Sequence, residues 1–361
     1  MKPEEMLKML MAHDSSTQAG ANSLAEKIIP LLRKTHSVKI FNFKNYKSVY
    51  ASIKNNFKPK VLFLGHLDTV DAKGWKDYKP LSLTKKGKNA YGLGVYDMKA
   101  GISAMLHLAN NFPSKNIAYL FVTDEELGGF NGAAKIAGHA APEIVIALEP
   151  TEFKIEVAAK GVLNLKITSK GLSAHSSTPE KGVNAIEQMS SFISEVKKDR
   201  LFGKKNKLLG KTTIAQVIIK CPNSRGNQIP DYCESNINIR YIPEQNQGQI
   251  IKVFRKIAKR YKRKISGIIV EETGSYGLPV ICDKNNKYAR VLAECISKET
   301  GRADYKGNPG ASDCRFFAEK KIPSTCFGAM GGNIHAPNEW LDLKSYVKYV
   351  KILEDFVRRI K

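Results

Sequence analysis

Acids and histidines fall where apolar runs end in this chain. VLFLGHLD (61–68) is a continuous apolar run that stops at His66 and Asp68. IAYLFVTDEE (117–126) stops at Asp124, Glu125 and Glu126, and EIVIALEP (143–150) stops at Glu149. STCFGAMGGNIH (324–335) passes through a Gly-rich stretch to His335. Histidine nitrogen and carboxylate oxygen are ligands for zinc and similar cations, and a catalytic zinc keeps one position open for water. Five candidate ligands, His66, Asp97, Glu126, Glu149 and His335, are too many for one such ion. They suit two ions that share one bridging carboxylate, about 3.5–4 Å apart, with a water between them and a carbonyl to polarise. Glu125 lies next to a ligand but points elsewhere, so it is free to act as general base. Asp68, two residues after His66, is placed to accept the other ring N–H and orient the imidazole.

Each residue has a plainer account. A lone His-x-Asp is ordinarily a surface or core pair, and TDEE by itself is a solvated acidic turn. His335 in NIHAP, alone, is a loop histidine. The shared placement at apolar-run ends is what favours a metal site. His13, His36, His107 and His139 lack that setting and read as structural or surface residues. His175 lies beside Ser176 and Ser177, but no G-x-S-x-G elbow accompanies it, which argues against a serine hydrolase. GLG (92–94) does not extend to G-x-G-x-x-G, and there is no H-E-x-x-H or P-loop lysine.

The elements that must position these groups follow from periodicity. Short apolar runs bounded by turn residues read as parallel strands buried on both faces. In open α/β sheets, ligands collect beyond the carboxyl ends of such strands. Residues 1–35 read as two helical stretches, EEMLKMLMA and NSLAEKIIPLLRK, and VKIFNF (38–43) as a short strand. Asp97 is expected to N-cap the helix MKAGISAMLHLANN. Strand IAYLFVT, helix GAAKIAGHA and strand EIVIALEP continue a β/α alternation, which implies a mostly parallel sheet covered by helices. The pattern then changes. GVLNLKITSKG alternates, with Leu163, Leu165 and Ile167 on one face. Helix NAIEQMSSFISEV, strands TTIAQVIIK and ESNINIRYIP, helix GQIIKVFRKIAKRYKR and strand KISGIIVEE complete βαββαβ, a ferredoxin-like sandwich. After GSYGLP the α/β character returns. The expected organisation is an α/β catalytic domain in two parts, 1–159 and 273–361, interrupted by an α+β lid or dimerisation domain at 160–272.

A chain of 361 residues accommodates two domains. Its 42% hydrophobic and 25% charged residues are ordinary for a globular protein. No stretch approaches the roughly 18 apolar residues of a membrane span, and the N-terminal stretch has no signal-peptide core. A cytoplasmic location and no membrane partner are the expectation. Six cysteines without a C-x-x-C pair read as reduced, buried thiols. The net charge of +24 invites a nucleic-acid reading. Lys greatly outnumbers Arg, however, and is spread along the chain without an RNP, zinc-finger or helix-turn-helix pattern. A generally cationic surface is the reading taken, with no nucleic-acid partner. Steering of anionic substrates into a cleft is a middle reading.

Together these residues resemble the M20 family of metallohydrolases. The match runs in order through GHLDTV (65–70), YGLGVYDMKAG (91–101), TDEELGG (123–129), ALEPT (147–151), GLSAHSSTPEKGVNAIE (171–187), NQIPDYCESNINIRYIP (227–243), GASDCRFF (310–317) and GNIHAPNE (332–339). Each motif is weak alone; eight in family order are specific. The resemblance implies a catalytic domain with two zinc ions per chain (Co²⁺ or Mn²⁺ as alternatives) and an inserted lid. It implies that His66 and Glu149 bind one ion, Glu126 and His335 the other, and that Asp97 bridges them, with Glu125 as general base. It further implies that His175, from the lid, polarises the scissile carbonyl, that Arg240 holds a substrate carboxylate, and that Asn227 assists. In the family such lid residues often serve the neighbouring subunit's site, so a homodimer is expected. Glu149 in place of Asp resembles the acyl-amino-acid deacylases and glutamate carboxypeptidases. YGLG, EPT and AHSSTPEKGVNAIE look most like acetylornithine deacetylase, whereas GASDCRFF looks like the general deacylase group. The implied activity is cleavage of N-acyl amino acids of the N-acetylornithine or N-succinyl-diaminopimelate type, in arginine or lysine biosynthesis. Rival readings are a carboxypeptidase or dipeptidase of the same architecture, and release of an amino acid from an acidic carrier protein, which the positive charge would suit. From a different class, a non-catalytic binding protein on this fold would have lost a ligand or base, and none is missing.

Overall fold

The computed structural model describes residues 1–222 and 225–360, without the side chains at 275 and 276. The chain divides into two compact units. Met1–Ala158, Val280–Gly307 and Ser312–Lys361 make the first; Ala159–Pro279 and Asn308–Ala311 make the second. The return to the first unit falls at Val280 and not after residue 272, because the strand Gly267–Gly277 runs on past that point.

The first unit is built on a mixed sheet. Its order runs Ser37–Phe43, Tyr46–Ser52, Ile117–Val122, Val61–His66, Ile144–Ala147, Ser324–Cys326, and on to Ile155–Ala159 and Val280–Ile281. The four strands from Ile117–Val122 to Ser324–Cys326 are parallel; Tyr46–Ser52 and Ile155–Ala159 flank them antiparallel. Every residue of Val61–His66, Ile117–Val122 and Ile144–Ala147 is buried, as continuous apolar runs require when helices cover both faces. Register sets the site. His66 pairs with Val122, and Leu64 with Ala147. The residues that follow these strands therefore leave the sheet at one edge.

Helices Pro3–Met11, Gln18–Leu32, Ala100–Asn111, Lys287–Thr300 and Leu343–Arg359 share one core with the sheet, through Leu7, Ile28, Ile102, Leu292, Phe356 and Phe63. Each such side chain contributes roughly 1.5–3 kcal/mol on burial. Caps define the starts: Thr17 accepts the N–H of Gly20, and Asp342 that of Ser345. Two expectations change. Asp97 does not cap a helix. The helix begins at Ala100, and Val95–Lys99 forms a wide turn in which Asp97 sits at φ −114°, ψ 94°, followed by a cis peptide to Met98. The GAAKIAGHA segment keeps only one helical turn, Ala133–Ile136, bounded by Gly132 and Gly138, and glycine ends helices readily.

The second unit is an antiparallel sheet ordered Thr213–Lys220, Tyr232–Tyr241, Gly161–Lys170, Gly267–Gly277, with helices Ala185–Lys197 and Gln247–Ala258 between strands in the chain. This is the strand order 2-3-1-4 of a ferredoxin-like βαββαβ sandwich. Leu163, Leu165, Ile167, Phe192, Ile237 and Phe254 form its core. Thr213–Lys220 is an edge strand with Val217 57% and Ile219 51% exposed, a free apolar edge of the kind proteins usually cover. All six cysteines are free, five of them buried. Among the described residues no helix is long and apolar enough to cross a membrane.

Candidate metal centre

The first unit brings all five candidate ligands together. His66 Nε2 lies 3.2 Å from Asp97 Oδ1 and 3.8 Å from Glu149 Oε2. His335 Nε2 lies 3.3 Å from Asp97 Oδ2 and 3.0 Å from Glu126 Oε1. Asp97 thus turns one carboxylate oxygen to each histidine, and each histidine has one further acid of its own. One donor atom each from His66, Asp97 and Glu126 lie within 4.8 Å of one another. A cavity of about 470 Å³, lined by Asp68, Glu126, His335, Leu93, Trp75 and Thr17 among others, opens beside this cluster.

The supports differ in part from expectation. The other ring nitrogen of His66, Nδ1, meets the main-chain carbonyl of Asp68 at 2.9 Å. The Asp68 carboxylate stands 3.7 Å away, too far for that bond, so the backbone of Asp68 orients the imidazole. A carbonyl only accepts, so Nδ1 carries a proton, and Nε2 faces the acids. The Asp68 carboxylate instead accepts the N–H of Glu126 at 2.9 Å and fixes the start of the turn that carries that candidate ligand.

Glu339 was not singled out from the sequence. It is 2% exposed and accepts three backbone N–H groups of the Asp97 turn, from Gly94, Tyr96 and Asp97, at 2.7–2.8 Å. Lys99, also buried, donates to the His13 carbonyl at 3.1 Å. Burial pushes its amine down to about 8, against the opposing charges of Glu339 and Asp14. A carboxylate that gathers three N–H groups holds the wide turn open where a helix would otherwise begin. Glu339→Ala would leave those donors without an acceptor. The expected result is a stability loss of about 3 kcal/mol and a metal affinity lower by about 10–100-fold, read by urea unfolding and by competition with a chromogenic chelator.

The electrostatics fit a bound cation. Burial, then the charges of Asp97, Glu125 and Asp313, push the Glu149 carboxyl well above its usual range. Burial also raises Glu126, and it raises Glu125 to about 8 with Asp313 adding to the shift. Burial opposes charge on Asp97 too, yet the hydrogen bonds from His335 and His66 hold it below the usual carboxylate range. His335 is raised to about 9, first by its hydrogen bond to Asp97. Acids crowded in this way resist ionisation unless positive charge joins them. A donor set of two imidazoles and three carboxylates matches zinc or a similar divalent ion.

The model of "Peptidase family M20/M25/M40" matches residues 62–359. The chain belongs to this family. Relatives in the family named succinyl-diaminopimelate desuccinylase include that of Pelagibacter ubique, 27% identical over 88% of this chain and 86% of its own. That of Buchnera aphidicola subsp. Cinara cedri is 28% identical over 83% and 84%. Among solved structures, aminopeptidase PepT from Bacillus cereus superposes with a TM-score of 0.79 at 19% identity, covering 99% of this chain and 98% of its own. That likeness shows that the two chains share a fold.

The other residues that the resemblance singles out, His175, Asn227 and Arg240, lie in the second unit. His175 pairs with Gln228 in a short antiparallel bridge, is exposed, and places Nδ1 2.7 Å from Ser177 Oγ. The N–H of Ser176 donates to the Asn227 carbonyl at 3.0 Å, so the His175 and Asn227 segments are joined. Arg240 is half-buried on the strand Tyr232–Tyr241, and its Nε donates to Asn238 Oδ1 at 3.1 Å.

Proposed function

We propose that the protein is a two-metal amidohydrolase that removes the acyl group from an N-acyl amino acid, of the N-succinyl-diaminopimelate type, in lysine biosynthesis or the kindred step of arginine biosynthesis. The observation that carries the reading is the Asp97 carboxylate with one oxygen toward each histidine. The names of the relatives support the choice of substrate.

His66 and Glu149 would hold one divalent ion, His335 and Glu126 the other, with Asp97 between them. When bound, such ions supply Lewis acidity and lower the pKa of a water toward neutrality. The chain's own groups account for the rest. Glu125 takes a proton from the attacking water and returns it to the nitrogen as the amide C–N bond breaks. The products are a carboxylic acid and a free amine. Burial raises the Glu125 carboxyl above the usual carboxylate range, which brings it closer to the pH at which a group both takes and returns a proton. His175 is assigned to the carbonyl oxygen, where it stabilises the developing negative charge. Asn227 assists it, and Arg240 offers a planar fork to the α-carboxylate. The same reading places the protein in the cytoplasm as a homodimer, which the exposed apolar edge strand Thr213–Lys220 supports. Light scattering should then give twice 40.1 kDa.

Turnover compared across N-succinyl-diaminopimelate, N-acetylornithine and a set of dipeptides tests the function. Preference for an N-acyl amino acid is expected; a preference for dipeptides would replace the reading with a peptidase. Arg240 supplies a sharper check. Arg240→Ala should raise KM for free-acid substrates by about 10–100-fold, since a charge-assisted bidentate contact is worth roughly 1.5–3 kcal/mol. The α-carboxamide analogues should change little. Equal losses on acid and amide would make Arg240 a structural residue.

A further inference from the structure

We propose that Arg315 and Asp313 are positioning residues that hold the turn carrying Glu125 in its working geometry. The proposal rests on Glu125 being the proton-transfer group of the reading above.

The turn is closed from within by two main-chain bonds, Gly129 N–H to Asp124 O and Gly128 N–H to Glu125 O, both 2.7 Å. Asp124 Oδ2 accepts the N–H of Asn131 at 2.7 Å. The outer side leans on the segment that opens the helix Cys314–Glu319. Arg315, 5% exposed, donates through Nη2 to the Gly128 carbonyl at 2.7 Å. Its guanidinium lies 4.4 Å from the Phe316 ring centre, and Phe316 meets Phe130, just beyond the turn, edge-on at 5.8 Å. The cation is therefore held by a ring on one side and fixes the main chain on the other.

Asp313 fills the next position along. Gly129 has φ +66°, and a Cβ added there would stand 2.0 Å from Asp313 Oδ1 and 2.9 Å from Phe316. Glycine is required on both counts, and the carboxylate lies against the turn with no space between. Asp313 is 2% exposed, and neither of its oxygens has a hydrogen-bond partner; Arg315 Nη2 is 3.9 Å from Oδ1. A buried carboxylate without bonds opposes folding, so stability does not account for it. Its contact does: Oδ1 stands where a Cβ on Gly129 would fall, so the carboxylate buttresses the turn directly.

Glu126, inside the turn, also has anchors outside it. Glu126 is held by Asp68 on its N–H and by His335 on its carboxylate. Loosening the Gly128–Gly129 end therefore falls on Glu125 and spares the metal ligand. Misplacement of a catalytic group by about 1 Å can cost around 100-fold in rate.

The test is a double-mutant cycle on the metal-loaded full chain, with N-succinyl-diaminopimelate or whichever panel member is turned over best. Arg315→Met should lower kcat by about 10–100-fold, with KM and metal content near wild type. Arg315→Lys should recover part of the loss, because it keeps the charge without the fork. In a Glu125→Gln background, Arg315→Met should change the residual rate less than about twofold, because it acts only through Glu125. Asp313→Asn should behave the same way, and Arg315→Lys carries the cycle if Arg315→Met does not fold. Equal losses in both backgrounds, or loss of metal, would overturn the proposal. If Glu125→Gln abolishes turnover but Arg315→Met leaves kcat unchanged, the positioning role alone fails. If Glu125→Gln is itself fully active, the proton-transfer reading fails and takes this proposal with it.

Discussion

Glu125→Gln is expected to lower kcat by about 10²–10⁴-fold while metal content and the unfolding midpoint stay at wild-type values. Glutamine keeps the shape of the side chain and removes only its ability to accept a proton. Glu125 makes none of the close contacts to His66 or His335 that Asp97, Glu126 and Glu149 make. Its carboxyl is instead pushed up to about 8, first by burial and then by the charge of Asp313. The neighbouring change, Glu126→Gln, should do the opposite in the metal assay and weaken one site, because Glu126 Oε1 is 3.0 Å from His335 Nε2. Elemental analysis beside initial rates separates the two. Metal loss in Glu125→Gln with full retention in Glu126→Gln would exchange the roles.

Asp97→Ala is expected to lower metal occupancy at both positions together, from about two ions per chain to below one, and to carry turnover with it. The reason is geometric. Its two oxygens lie 3.2 Å from one histidine and 3.3 Å from the other, so removal of one side chain takes a donor from each ion. Glu149→Ala should empty only the His66 position, since Glu149 stands near His66 alone. Inductively coupled plasma analysis of the two variants after identical loading makes the comparison. Two retained ions and a full rate in Asp97→Ala would show that the carboxylate is not shared.

The candidate ligands were legible because of where strands end. A strand buried on both faces must be apolar throughout, so a histidine or acid at its last position is conspicuous. His66 closes such a strand, and Asp124–Glu126 and Glu149 follow two others. Register does the rest, since parallel strands in step deliver their ends to one edge. An acid ahead of an apolar helix has the same pattern whether it caps the helix or sits in a turn before it, so the sequence at Asp97 points to a cap that the structure does not form. The difference is made by Glu339, more than 240 positions away in the chain, whose carboxylate takes the N–H groups a helix start would have used. Nothing local to either segment records that pairing. Asp68 shows a similar limit: side-chain spacing pointed to its carboxylate, and the bond is made by its main-chain oxygen. Arg315 lies in the motif GASDCRFF, yet its guanidinium bonds a turn nearly two hundred residues earlier. The βαββαβ order of the second unit was visible because alternation and amphipathic periods survive in each element. Its last strand was cut short at the residue where apolar alternation gives way to GSYG, although the ladder continues to Gly277.

The most direct test of the two-metal amidohydrolase is a metal titration of activity. Protein stripped with a chelator and dialysed should not release succinate from N-succinyl-diaminopimelate. Added Zn²⁺ or Co²⁺ should restore the rate, with a plateau at about two equivalents per chain. A stripped, metal-free protein that hydrolyses the substrate at the full rate would contradict the account.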